Sequence, residues 1–207
     1  MKTETKITTL FLDIGGVLLS NGWGHEFRQQ AAKKFQLDAP EMEERHALLF
    51  VTYEEGKINL KEYIDRLVFY QERDFTSDQF KDFMFSLSTP SNDMIAFIKK
   101  LKKKYSLRIV AVNNEAKELN AHRIQNFQLN NFVDFFISSC YVHLRKPDAD
   151  IFRMALDIGQ VKAEQVIYID DVQLFVDVAT SLGVKGIHHK NYLSSMKEFA
   201  AMGLNIQ

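Results

Sequence analysis

The chain has 207 residues, of which 46% are hydrophobic and 26% are charged. This length and balance are typical of a globular protein with a substantial core. Lysine and arginine number 26 against 27 aspartates and glutamates, which gives a net charge of -1. A chain without excess positive charge is not expected to bind nucleic acid or an anionic membrane surface. We therefore expect a small molecule as the partner, while the composition predicts no particular oligomeric state.

The cysteine content and the N-terminal segment bear on the cellular compartment. Cys140 is the only cysteine, so no internal disulfide can form, which is typical of a reducing compartment. The segment after Met1 is too polar for a signal peptide, and no apolar run approaches the roughly 20 residues of a membrane span. These features predict a cytoplasmic protein.

Short apolar runs rich in β-branched and aromatic residues alternate with helical patterns along most of the chain. This alternation is the signature of a parallel sheet covered by helices. The runs predicted as strands, the last of them as an edge strand, are residues 7–12, 107–112, 135–138, 166–169 and 184–187.

Residues 19–88 differ from the rest of the chain, because four helical segments follow one another with no convincing strand between them. Their apolar positions, with Leu48 and Phe80 among them, predict the core of a small helical bundle. Asn59 and Ser77 stand where the N-caps of two helices are expected. We call this segment the helical insertion.

The elements together predict a two-domain α/β protein. A Rossmann-like three-layer α/β/α core with a parallel sheet would comprise residues 1–18 and 89–207, and a small all-helical domain would comprise residues 19–88. In open parallel sheets, ligands bind at the carboxyl ends of the strands. The polar residues that follow each predicted strand are therefore the candidates for a functional site.

The first predicted strand ends at Asp13, which is followed by Gly15 and Gly16. Glycines let the backbone approach a metal ion or a phosphate closely. An aspartate followed by glycine also forms ordinary turns at strand ends. This segment alone is therefore weak evidence of a site.

Three further segments supply polar groups at the ends of predicted elements. Asn113 and Asn114 can donate to phosphate oxygens, although asparagine is also common in turns. Lys146 precedes a predicted helix, where its ammonium could offset the charge of a transferring phosphoryl group. Asp170 and Asp171 follow the fourth strand, and adjacent carboxylates repel each other unless a cation such as Mg²⁺ lies between them.

These four segments, in this order, resemble the four motifs of the haloacid dehalogenase superfamily, and they span nearly the whole chain. The helical insertion resembles the cap that closes over the active site in that family. By this resemblance Asp13 is the nucleophile and Lys146 is the cation that stabilises the phosphate. Asn113 and Asn114 are donors to the phosphate. The resemblance also implies a Mg²⁺ site formed by Asp13, the carbonyl of Gly15, Asp170 (directly or through water) and Asp171.

Two residues depart from the pattern of the family. Gly15 stands where most of its phosphatases have a second aspartate, which acts as the general acid and base. Asn113 stands where serine or threonine is usual, so it must donate through its amide or serve as a spacer. Some relatives with a helical cap also begin with Asp-x-Gly and resemble sugar-phosphate phosphatases. Another side chain, such as His25, could replace the missing acid.

The leading interpretation is a magnesium-dependent phosphohydrolase that acts on a small phosphorylated metabolite, with sugar phosphates among the candidates. One alternative is a catalytically reduced binding or regulatory protein with the same fold, for which Gly15 and Asn113 are the evidence. The other is a 2-haloacid dehalogenase, which would use Asp13 without a metal ion. The adjacent Asp170 and Asp171 argue against that alternative.

Overall fold

Five short strands form one parallel sheet in the computed structural model, which describes residues 6–206. The strands are β1 (Thr9–Leu12), β2 (Arg108–Asn113), β3 (Phe135–Ser138), β4 (Val166–Asp170) and β5 (Lys185–His188). Their spatial order is β3-β2-β1-β4-β5. All five predicted strands are therefore confirmed with ends shifted by no more than two residues, and β5 lies at an edge as predicted.

Successive side chains of each strand point to opposite sides of the sheet, so both faces of the sheet are apolar. Helices cover both of these faces. Leu10 and Leu12 of β1 lie in one hydrophobic cluster, and Phe11 between them lies in another. The helices outside the insertion are α5 (Asn92–Tyr105), α6 (Lys117–Asn126), α7 (Ser139–Val142), α8 (Ala149–Gly159), α9 (Gln173–Ser181) and α10 (Tyr192–Ala201). This arrangement confirms the predicted Rossmann-like α/β/α fold.

The helical insertion contains four helices with a hydrophobic cluster of their own. These are α1 (His25–Lys34), α2 (Ala39–Glu54), α3 (Leu60–Leu67) and α4 (Ser77–Ser86). The cluster also includes Ala116 and Leu119 of the neighbouring core segment, so the insertion packs against the core through apolar side chains. Phe80 is fully buried, whereas Leu48, predicted as a bundle residue, is 78% exposed. The division into two domains stays a prediction.

Side-chain caps determine where two of these helices begin. Asn59 caps α3 as predicted, since its Oδ1 accepts from the backbone N–H of Glu62 at 2.9 Å. The cap of α4 is Thr76 and not the predicted Ser77, because Thr76 Oγ1 accepts from the N–H of Gln79 at 3.2 Å. Both caps satisfy an N–H group that would otherwise lack a partner in the first turn.

The helices can be compared with the length and apolar character of a membrane span. Within residues 6–206, none of them combines the length and the apolar character that a membrane span needs.

Candidate active site

The carboxyl ends of β1, β2 and β4 meet at the edge of the sheet that faces the helical insertion. β1 lies between β2 and β4, so the strand order reverses at β1. Such a reversal opens a crevice in which ligands bind. Asp13 follows β1, while Asp170 ends β4 and Asp171 comes next. The structure thus brings the predicted acidic residues together.

Lys146 lies at the centre of this acidic group. Its Nζ donates to Asp13 Oδ1 at 2.8 Å and to Asp170 Oδ2 at 2.6 Å, and its side chain is only 1% exposed. Burial by itself would lower the pKa of Lys146, but the two carboxylates outweigh it and raise the pKa. A buried ammonium between two carboxylates is stable in its charged form.

The acidic residues could hold a divalent cation. Asp13, Asp170 and Asp171 each contribute one carboxylate oxygen to a group of three oxygens that lie within 4.8 Å of one another. Burial raises the pKa of Asp13 to about 7, against the lowering effect of Lys146 and with a further increase from Asp170. Burial and the charge of Asp170 also raise the pKa of Asp171. Three carboxylates and one ammonium leave an excess of negative charge. A bound Mg²⁺ ion, which prefers hard oxygen ligands, would offset this charge.

The carboxylates differ in how many of their oxygens are already bound. Asp170 Oδ1 accepts from the N–H of Val172 at 2.7 Å, and its Oδ2 accepts from Lys146 and from the hydroxyl of Tyr168. Within residues 6–206, the carboxylate of Asp171 accepts only a long hydrogen bond, from Asn21 Nδ2 at 3.5 Å. Asp171 is therefore more available as a direct metal ligand, and the geometry at Asp170 favours a contact through water.

Gly16 provides the space for Asp171. Its φ is +72°, and a Cβ built on Gly16 would lie 2.1 Å from Asp171 Oδ2. Any side chain would therefore displace the carboxylate and strain the backbone as well. The close approach of Asp171, 155 positions away in sequence, therefore explains why residue 16 is a glycine.

Asn113 and Asn114 have different surroundings. Asn114 lines the cavity, where its side chain accepts from the N–H and donates to the carbonyl of Lys146, both at 2.9 Å. Asn113 points into the protein, since its amide donates to Asn120 and its oxygen accepts from Ser138. The structure thus does not bring Asn113 to the cavity, contrary to its predicted role as a phosphate donor, whereas Asn114 positions Lys146.

A cavity of about 280 Å³ lies between this edge of the sheet and the helical insertion. Asp13, Gly15, Lys146 and Asp171 form its floor on the side of the sheet. The remaining wall combines aromatic rings with polar and charged side chains, among them Trp23, Arg28, His46, Phe50, Tyr53, Glu54, Glu115, Arg123, Arg145 and Phe175. The cavity is large enough for a small molecule only.

The wall near Gly15 contains an ion pair that the sequence did not reveal. Arg123 Nη1 donates to Glu115 Oε2, and both side chains are nearly fully buried. A Cβ on Gly15 would lie 3.9 Å from Arg123 Nη1, so the pair stands beside the position of the missing aspartate. Burial raises the pKa of Glu115 despite Arg123. The only sequence signal was the position of Glu115 just after the second strand.

His25 is not a candidate for the missing acid in this structure. Its side chain is 67% exposed, and Nδ1 lies 3.4 Å from Glu43 Oε1. It is not among the residues that line the cavity.

The turn after α2 fixes the insertion onto the loop that precedes Lys146. Arg145 donates to Glu54 Oε2 at 2.7 Å, and His143 Nδ1 lies 2.7 Å from the carbonyl oxygen of Glu55. A Cβ on Gly56 would lie 2.2 Å from the carbonyl oxygen of Cys140. The insertion therefore lies in close contact with the loop that carries Lys146.

Sequence comparison identifies related proteins. A family profile described as haloacid dehalogenase-like hydrolase matches residues 13–188. The bifunctional epoxide hydrolase 2 of Rattus norvegicus is 28% identical over 101 residues, which are 47% of this chain and 18% of that protein. This chain therefore aligns with less than a fifth of that relative's length.

Solved structures share the fold. The HAD family enzyme bt-2542 of Bacteroides thetaiotaomicron, in complex with magnesium and inorganic phosphate, gives a TM-score of 0.74 at 21% identity, over 89% of this chain and 94% of that chain. The L-2-haloacid dehalogenase of Xanthobacter autotrophicus gives a TM-score of 0.62 at 14% identity, over 87% of this chain and 76% of that one. At these identities the likeness concerns the fold alone.

Proposed function

Because the chain belongs to the haloacid dehalogenase-like hydrolase family, we propose that it is a magnesium-dependent phosphohydrolase acting on a small phosphorylated metabolite. The supporting observation is the arrangement around Lys146, where Asp13, Asp170 and Asp171 place more negative charge than one ammonium can balance. A protein of the same fold binds magnesium and phosphate together. A site that gathers carboxylates around a buried cation is suited to a phosphoryl group and a metal ion.

In the proposed reaction Asp13 is the nucleophile. One of its oxygens is held by Lys146, and the other forms a bond to phosphorus as the bond from phosphorus to the leaving oxygen breaks. Water then attacks the aspartyl-phosphate, which releases phosphate and restores Asp13. Lys146 orients the carboxylate and offsets charge on the phosphoryl group. Mg²⁺ held by Asp13, Asp171 and the carbonyl of Gly15, with Asp170 acting through water, would supply further charge compensation.

The size of the cavity favours small substrates. Its volume is about 280 Å³, and the helical insertion forms one wall. Nucleic acid, membranes and folded phosphoproteins are therefore not expected as substrates. Two rival functions remain distinct outcomes of the test: a dehalogenase would need no metal ion, and a binding protein would turn over no ester.

The proposed function is tested with small phosphate esters, 2-haloacids and a folded phosphoprotein, each with magnesium or with excess chelator. We expect magnesium-dependent hydrolysis of the small esters only, and acid quenching should trap a phosphorylated wild-type protein. Asp13→Asn should give neither product nor trapped phosphate, because it removes the nucleophile. Asp177→Asn, at an exposed position of α9, is the matched control. Halide release in chelator would establish the dehalogenase, and no turnover of any compound would favour the binding protein.

A second prediction concerns the missing acid at Gly15. A positioned acid or base contributes roughly 10²–10⁴-fold, so the protein should hydrolyse acyl and aryl phosphates faster than primary alkyl phosphates. Gly15 does not have a positive φ, and a Cβ there would lie 3.5 Å from Asn21 Oδ1, an ordinary contact. Gly15→Asp should therefore fold and raise turnover of alkyl phosphates by about a hundredfold, the lower end of such an effect.

The measurement is log turnover against the pKa of the leaving group. Gly15→Asn serves as the control, because it adds a side chain of the same shape without an acid. If the wild-type dependence is already as shallow as that of Gly15→Asp, a proton donor is present, and Glu115 is then the carboxyl group of the cavity wall to replace next.

A further inference from the structure

A chain of hydrogen bonds in the insertion determines which nitrogen of His46 carries a proton. Trp23 Nε1 donates to the hydroxyl of Tyr63 at 2.9 Å, and this hydroxyl lies 2.7 Å from His46 Nδ1. An indole N–H can only donate, so the oxygen of Tyr63 accepts from Trp23. Tyr63 is fully buried, and among the described residues only His46 remains to accept its proton. His46 Nδ1 is therefore the acceptor, and the ring proton lies on Nε2.

The surroundings of His46 also keep its ring neutral. Burial, with a smaller contribution from the charge of Arg28, lowers the pKa of His46 to about 4, although Glu43 acts in the opposite direction. The ring stacks on Phe50 at 5.3 Å and lines the cavity. Nε2 has no hydrogen-bond partner among residues 6–206. The insertion thus presents an uncharged N–H donor at the cavity wall.

The positive charges that line the cavity are all paired within the protein. Lys146 is held by two carboxylates of the acidic group. The three arginines of the wall each meet a carboxylate: Arg28 with Glu43 at 2.7 Å, Arg145 with Glu54 at 2.7 Å, and Arg123 with Glu115. Within the described part of the chain, the cavity therefore has no unpaired cation to bind a second anionic group of a ligand.

We propose that the substrate is the monophosphate ester of an uncharged, hydroxyl-bearing molecule, such as a sugar or sugar alcohol, and that His46 Nε2 donates a hydrogen bond to one of its oxygens. This proposal rests on the phosphohydrolase function. A neutral donor beside paired charges suits a hydroxyl group, which can both donate and accept. The rings of Trp23 and Phe50 offer apolar surface to the carbon skeleton. Tyr63 is a positioning residue, because it acts on the ligand only through His46.

The state of His46 can be measured without any substrate. Nitrogen-15 NMR of the labelled protein, with His46 assigned by comparison with His46→Phe, should show a neutral ring protonated at Nε2. Tyr63→Phe should convert this signal into a mixture of tautomers, because Nδ1 loses its donor. A ring protonated at Nδ1 in the wild type would overturn the assignment of His46 as a donor.

Substrate preference is tested with three six-carbon esters that all carry phosphate on a primary carbon: sorbitol 6-phosphate, n-hexyl phosphate and 6-phosphogluconate. The wild type should prefer the first over both others, measured as kcat/KM. His46→Phe should reduce the preference for sorbitol 6-phosphate over n-hexyl phosphate about tenfold, the size of one hydrogen bond. His46→Gln, which keeps an N–H donor, should retain part of it. His25→Phe, at an exposed histidine outside the cavity, is the control and should leave the preference intact.

A binding measurement separates failure of this proposal from failure of the phosphohydrolase function. In Asp13→Asn protein with magnesium, sorbitol 6-phosphate should shift the Nε2 resonance of His46, whereas n-hexyl phosphate should not. If no ester is hydrolysed but this shift occurs, the phosphohydrolase function fails and the ligand class stands. Equal preference for the three esters, or a preference unchanged in His46→Phe, would overturn the proposal while leaving the phosphohydrolase intact.

Discussion

Replacing Asp171 by asparagine should reduce magnesium-dependent turnover at least about a thousandfold. A loss of this size is expected when a metal ion no longer stabilises the charge of the transition state. Asp171 is the carboxylate of the acidic group with the weakest internal hydrogen bonding, one contact at 3.5 Å. Its oxygens are therefore the ones most free to bind Mg²⁺. Excess chelator should give a loss of similar size in the wild type.

The matched variant Asp170→Asn should be milder. Asp170 already accepts hydrogen bonds at both oxygens, from Val172, Lys146 and Tyr168, so it would contact the metal ion through water. A magnesium titration of turnover for both variants, with Asp177→Asn as the control, distinguishes the two roles. Full wild-type turnover in chelator would refute the metal assignment and restore the dehalogenase as the better hypothesis.

Lys146→Met should lower turnover by a hundredfold or more, the size expected when one electrostatic contribution of roughly 3 kcal/mol is lost. The structure adds an effect on stability. Lys146 is the buried counter-charge of Asp13 and Asp170, and removing one partner of a buried ion pair typically costs about 3–5 kcal/mol. Without magnesium, the variant should therefore unfold at a lower temperature than the wild type. Added magnesium should raise the unfolding temperature of the variant by more than that of the wild type.

Both effects are measurable on one preparation. Turnover is determined at saturating magnesium, where the variant is expected to be folded, and thermal unfolding is followed with and without the metal ion. Lys197→Met, at an exposed position of α10, controls for the loss of a lysine. Unchanged turnover in folded Lys146→Met would show that the ammonium has no part in the chemistry.

The sequence by itself was sufficient to place the acidic group. Asp13, Asp170 and Asp171 each follow an apolar run, and the carboxyl ends of parallel strands meet at one edge of a sheet. Local hydrophobic patterns therefore predicted both the strands and the side chains that meet beyond them. Lys146 was found through its position ahead of a helix in the order of the four motifs.

The register of β2 determines where the side chain of Asn113 points. It is the last residue of β2 and pairs with Ser138 of β3, whose hydroxyl donates to its side chain. Strand alternation determines to which side of the sheet such a side chain points, and a shift of one residue reverses it. The predicted strand ended one residue earlier, which left Asn113 in the loop with Asn114.

The sequence determined the sheet, the helical insertion and the strand-end residues, because these depend on patterns within a few neighbouring positions. Only the tertiary structure decided which charges of the cavity are paired and which polar groups remain free. Arg123 meets Glu115, Arg145 meets Glu54, and His46 Nδ1 lies within hydrogen-bond distance of a tyrosine hydroxyl 17 positions away. Such pairings depend on how separate elements pack, so no local spacing in the chain predicts them.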